Sequence, residues 1–164
     1  MRTIAVAALA LTALASAAQA REVVRFDPSV APGTIVVRNA ERKLYFVTDY
    51  GSALRYPVAV GRAGKQWAGT ATVAGKYVKP AWSPPDEIKR DNPRLPNVIP
   101  GGAKNNPMGT RALVLDRGQY AIHGTNNPRS IGTFASYGCV RMHNADIQDL
   151  YERVQVGTTV VVTR

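Results

Sequence analysis

Ser136-Tyr137-Gly138-Cys139-Val140-Arg141-Met142, with His123-Gly124-Thr125 upstream, is the stretch on which the reading of this chain turns. Cys139 is the only cysteine among 164 residues. Glycine precedes it, an arginine lies two positions on, and an imidazole stands sixteen positions before it. A thiol is nucleophilic as thiolate, so it needs a base or a positive field. A thiol with a nearby histidine is the minimum equipment for covalent acyl transfer. The competing reading, a small buried hydrophobe, is the commoner fate of a lone cysteine.

The N-terminus bears on that choice. Met1-Arg2-Thr3 is followed by an apolar run from Ile4 to Ala18 and then Ala18-Gln19-Ala20. A positive start, a short apolar segment and an A-x-A site predict a signal peptide over 1–20. The run is too short for a comfortable membrane span. The mature chain is expected to begin at Arg21, to be exported and soluble, and to form one domain over 21–164 with its core at about 31–163. The residue immediately after the cleavage site is Arg21 rather than a cysteine, so no lipoprotein anchor is expected. Oxidising compartments pair or damage free thiols, which favours a used thiol over an idle one. With one cysteine there is no internal disulfide, and stability must come from core burial.

The formal net charge is +10. Such a balance suits an anionic partner or simple solubility. Nucleic acid is not expected, because the chain is exported and shows neither a basic helix nor a set of stacking aromatics. The polyanion outside the membrane is cell wall or lipid head group. Two histidines and one cysteine lack zinc-site spacing, so no metal and no cofactor are expected.

Short runs rich in Val, Thr, Tyr and Ile recur between turn residues. They include Thr34 to Val37, Lys43 to Thr48, Leu54 to Val60, Thr70 to Val78, Ala112 to Leu115, Tyr120 to His123 and Thr158 to Thr163. Asp116-Arg117-Gly118 predicts a hairpin. Strands at this spacing favour a sandwich or a barrel. One helix is expected after the cysteine, with Asn144 as its cap and Ile147, Leu150, Tyr151 and Val154 as its apolar face. Pro80 to Pro107 holds seven of the eleven prolines. Only Ser83 to Arg90 in it reads as ordered, a short helix capped by Ser83. A loop this long predicts a lid or wall over the site.

His123 closes a strand, which is a rigid mount, and is preferred as the base over His143, four positions after Cys139. It would take the thiol proton, with the Gly124 carbonyl as a candidate partner for its other ring nitrogen. Gly138 lets backbone approach the substrate. The N–H groups of Tyr137, Gly138 and Cys139 are candidates for holding an oxyanion. Arg141 reads either as a carboxylate ligand or as a structural residue. Ser136 could bond the loop or the substrate.

These residues resemble the catalytic signature of the L,D-transpeptidases of bacterial cell walls, the YkuD-type domain. Trp82-Ser83-Pro84-Pro85, Ile99-Pro100-Gly101-Gly102, Asn106-Pro107-Met108-Gly109 and Asp146 to Val162 extend the likeness to the ErfK/YbiS/YcfS/YnhG-type branch. The resemblance implies a mainly β fold, a β-sandwich with one helix in the C-terminal half and the long Pro-rich loop. It implies that Cys139 attacks the third-residue carbonyl of a peptidoglycan stem tetrapeptide and releases D-alanine. The acyl group would pass to an amine on a neighbouring stem or on an outer-membrane lipoprotein. His123 matches the family base and Gly124 its carbonyl partner. Many members carry histidine where this chain has Tyr137. The alternatives are an L,D-carboxypeptidase, with water as acceptor, and a non-catalytic wall-binding domain. A periplasmic location follows from the branch resembled.

Overall fold

The computed structural model describes residues 21–164, so the signal peptide expected over 1–20 lies outside the described residues. Among the described residues ten strands follow one another: β1 (Glu22–Arg25), β2 (Ile35–Arg38), β3 (Lys43–Asp49), β4 (Ser52–Gly61), β5 (Gly69–Val78), β6 (Arg111–Leu115), β7 (Ala121–His123), β8 (Phe134–Ser136), β9 (Val140–Met142) and β10 (Thr159–Thr163). Helix α1 (Asp86–Asp91) lies in the Pro-rich segment and α2 (Asn144–Arg153) follows β9.

Neighbouring strands run β4-β3-β2-β10-β5-β6-β7-β9, and β9 pairs back onto β4. The sheet therefore closes on itself. The expected sandwich is corrected to a barrel-like sheet, still mainly β. The cause lies in the two ten-residue strands, β4 and β5. The first half of β4 pairs with β1 and β3, and its far end pairs with β9 through Val58↔Met142 and with β8 through Val60↔Phe134. The start of β5 pairs with β10, and past an irregularity between Val73 and Gly75 it pairs with β6. Each long strand belongs to both walls, so the walls join. A register shift of this kind bends a strand and increases its twist.

Branched and aliphatic side chains fill the interior. Ile35, Val37, Leu44, Tyr56, Val58, Leu113, Ile122, Met142 and Val160 are buried, and α2 adds Ile147 and Leu150 to the same cluster. A smaller cluster of Val36, Tyr45 and Ala53 on the other face is covered by Val24, Phe26 and Val30. The N-terminal segment thus acts as a cover for one outer wall.

Two helix details differ from expectation. His143, not Asn144, is the residue before α2, and it makes no capping bond through its side chain. Pro85, not Ser83, precedes α1. Both starts carry acidic residues in the first turn and basic ones in the last, which suits the helix dipole.

Candidate active site

Strands β7 and β9 lie side by side in parallel, with Ile122 opposite Val140 and His123 opposite Arg141. Successive side chains on a strand point to opposite faces. Ile122, Val140 and Met142 point into the core. Ala121, His123, Cys139 and Arg141 take the other face, and all four line one cleft of about 710 Å³. The thiol and the preferred imidazole, sixteen positions apart in sequence, thus share one face of adjacent strands.

His123 is buried. Its Nδ1 lies 2.7 Å from the Gly124 carbonyl oxygen. A carbonyl only accepts, so Nδ1 carries the proton and Nε2 keeps its lone pair. Burial lowers the His123 pKa to about 4, assisted by the Arg141 guanidinium and opposed by the Gly124 and Pro107 carbonyls. Burial likewise raises the Cys139 thiol, against the opposing pull of the Ala121 N–H and of Arg141. At neutral pH the resting pair is therefore a neutral thiol with a neutral imidazole. Burial also lowers the Arg141 pKa, partly offset by Cys139.

The segment before the thiol is braced from within. Ser136 Oγ donates to the Cys139 carbonyl at 2.6 Å and accepts the Gly138 N–H at 3.0 Å. Gly138 has φ of +120°, and a Cβ there would come within 2.3 Å of the Tyr120 ring. Only glycine meets both conditions. Trp67 Nε1 donates to the Gly138 carbonyl at 3.0 Å and stacks on Tyr120 with ring centroids 5.4 Å apart. Sequence reasoning missed Trp67, because nothing local ties it to a loop seventy residues away.

The Pro-rich segment forms one wall of the cleft, through Trp82, Pro84, Glu87, Ile88 and Pro107 among others. Trp82 bridges to Ile99 across the segment. Buried Asn106 clips it, donating to the carbonyls of Pro80 at 2.9 Å and Pro100 at 3.0 Å and accepting the Met108 N–H at 2.9 Å. Helix α1 is fastened from outside: Arg62 pairs with Asp91 at 2.9 Å and Lys65 pairs with Glu87. Tyr137 also donates to Asp91, and the Arg62 guanidinium lies 4.0 Å from the centre of its ring. Tyr137 thus links the segment before the thiol to the wall. The rival His143 lies at the start of α2 and does not line the cleft. Among the described residues, no group of three or more His, Cys, Asp or Glu side chains is placed to hold a metal ion.

A closed β-sheet with a thiol and an imidazole on one cleft-facing surface defines the class. Residues 32–162 match the L,D-transpeptidase catalytic domain family, YkuD, and the chain belongs to that family. It is 39% identical over 142 residues to the Escherichia coli K12 protein named probable L,D-transpeptidase YbiS, a match covering 81% of this chain and 45% of that protein. The chain thus spans about half the length of such curated relatives. A Brucella melitensis structure solved under the name probable carnitine operon oxidoreductase CaiA is 41% identical, with a TM-score of 0.58 over 88% of this chain and 93% of that one. That name speaks of a different chemistry and stays with that protein. The catalytic domain of the Enterococcus faecium L,D-transpeptidase acylated by ertapenem has a TM-score of 0.60 at 20% identity, over 79% of this chain and 95% of that one. At that identity the likeness concerns the fold.

Proposed function

We propose that this protein is a peptidoglycan L,D-transpeptidase with Cys139 as nucleophile and His123 as base. The observation that carries the reading is the placement of both side chains in one cleft, His123 at the end of β7 and Cys139 just before β9, with the imidazole proton committed to Gly124. Because both groups are neutral at rest, the thiol proton moves to His123 Nε2 as sulfur bonds to the third-residue carbonyl carbon of a stem tetrapeptide. The Gly138 N–H is already taken by Ser136. The N–H groups of Tyr137 and Cys139 are therefore assigned to the developing oxyanion. Collapse breaks the carbon–nitrogen bond, and D-alanine leaves with the proton from His123. The acceptor amine then attacks the thioester, gives its proton to His123, and the thiol is restored.

Arg141 stands beside His123 in the cleft and suits a stem carboxylate. Its charge also keeps the imidazole neutral. The acceptor is an amine of a neighbouring stem or of an outer-membrane lipoprotein, and the site of action is the periplasm. No helix among the described residues is long and apolar enough to cross a membrane.

The test is release of D-alanine from a tetrapeptide muropeptide, followed by mass spectrometry with and without an acceptor stem. The parent protein is expected to form cross-linked product, and Cys139→Ala to form none. Turnover by Cys139→Ala would overturn the nucleophile, and tripeptide as the sole product with acceptor present would assign water as the acceptor. Ertapenem, which acylates the Enterococcus faecium domain, serves as a second probe. A mass increase on the parent and none on Cys139→Ala is expected.

A further inference from the structure

Asn144 opens α2, outside the cleft, and its side chain does not cap the helix. It reaches instead to the turn that follows His123. Its Oδ1 accepts the Thr125 N–H at 3.1 Å and the Thr110 N–H at 3.2 Å, and its Nδ2 donates to the Thr125 carbonyl at 3.0 Å. The fit is close on both sides: a Cβ on Gly109 or on Gly124 would come within 2.2 Å of Asn144 Oδ1.

The Thr125 N–H and the Gly124 carbonyl belong to the same peptide unit. Asn144 Oδ1 therefore holds one end of the peptide whose other end holds His123 Nδ1. We propose that Asn144 is a positioning residue of the acyl-transfer site, acting on the His123 imidazole through the Gly124–Thr125 peptide. Hydrogen bonds in a chain polarise one another, so an acceptor on the N–H makes the carbonyl a better acceptor for the ring proton. A carboxylate commonly does this service for a catalytic histidine by direct contact. Here an amide does it one peptide removed, and Thr110 brings the strand entering β6 into the same clasp.

The inference rests on His123 being the base, so its experiment separates the two. Nitrogen-15 NMR of the His123 ring across pH reports tautomer and titration without any turnover. Ertapenem acylation under pseudo-first-order conditions, over a range of concentrations, reports function. In Asn144→Ala the Nδ1–H tautomer is expected to lose its dominance, and the maximal acylation rate to fall roughly tenfold with half-saturation unchanged. Asn144→Asp keeps an acceptor for both N–H groups and adds charge. It is expected to raise the His123 titration point and to move the acid limb of the acylation profile upward with it. An unchanged tautomer and an unchanged pH profile in both variants would overturn the proposal. If Asn144→Ala does not fold, Asn144→Asp alone decides by the same two readings. A changed tautomer with an unchanged rate would instead overturn His123 as base and leave the clasp standing.

Discussion

His123 links the chemistry to the stability of the fold. The unfolded chain takes up a proton on it near pH 6.5, and the folded chain only near 4. Between those values the unfolded state binds more protons, so stability falls as the pH drops through that window. The loss amounts to about 3 kcal/mol when complete. His123→Gln removes it, so urea titrations at pH 7 and pH 4.5 should show a smaller drop for the variant than for the parent. Equal drops would mean that the imidazole is not held neutral. Asp116 and Asp149, whose carboxyls are lowered, lose their contribution at more acid pH, and Asp146, raised by burial, works in the opposite sense; all three are common to both proteins. The raised thiol gives a companion expectation. Without a bound substrate, alkylation of Cys139 by iodoacetamide should keep climbing with pH past the midpoint of an ordinary cysteine. At this scale the sequence was informative where residue type implies chemistry. A lone thiol and a strand-end histidine stand out in one dimension. Asn144 does not, because an asparagine before a helical pattern reads as a cap, and its actual partners, Thr110 and Thr125, are brought to it only by the fold.

The Pro-rich wall is the element whose behaviour sets access to the thiol. Glu87 and Asp91 lie one turn apart on α1 and face Lys65 and Arg62 on the turn after β4. None of the residues of α1 is buried, so charge rather than apolar packing holds this helix down. Exposed pairs of this kind contribute little to global stability and are screened by salt. Asp91→Asn weakens the Arg62 pair and the Tyr137 bond together. The variant is expected to unfold at nearly the parent's urea midpoint, yet to show faster iodoacetamide labelling of Cys139 at low ionic strength, and added salt should bring the parent toward the variant's rate. Labelling that ignores both the substitution and the salt would show that the wall does not open through this contact. Proline density exposed the element in the sequence, since a long unpatterned segment in a compact domain is either functional or loose. Its fastenings stayed hidden: Asn106 looks like any loop asparagine, and the pairing of α1 with residues 62–65 is a long-range contact with no local signature.

Seven of the strands were legible from β-branched runs, but β1 and the short β8 and β9 were not, and neither was ring closure, because which strands pair twice depends on where long strands bend. A sandwich and a barrel offer the same alternation to a reader of sequence. The difference matters to function, since the seam that closes the ring is the β4–β9 pairing, and β9 begins one residue after the thiol. Met142 plugs that seam from the core side, fully buried opposite Val58. Leu44, equally buried, sits on β3, on the other side of β4 from that seam, where it faces Tyr56. Truncating either to alanine should cost about 3 kcal/mol in urea unfolding, from lost transfer energy and the cavity left behind. The two should part company at the site. Met142→Ala loosens the pairing that presents Cys139, so hydrogen exchange should speed up at the amides of Ala59 and Arg141, and ertapenem acylation should slow beyond what the fraction unfolded explains. Leu44→Ala should leave both measurements at parent values under folding conditions. Equal damage at the site from both variants would mean that stability is spread evenly around the ring, with no privileged coupling between its closing seam and the thiol.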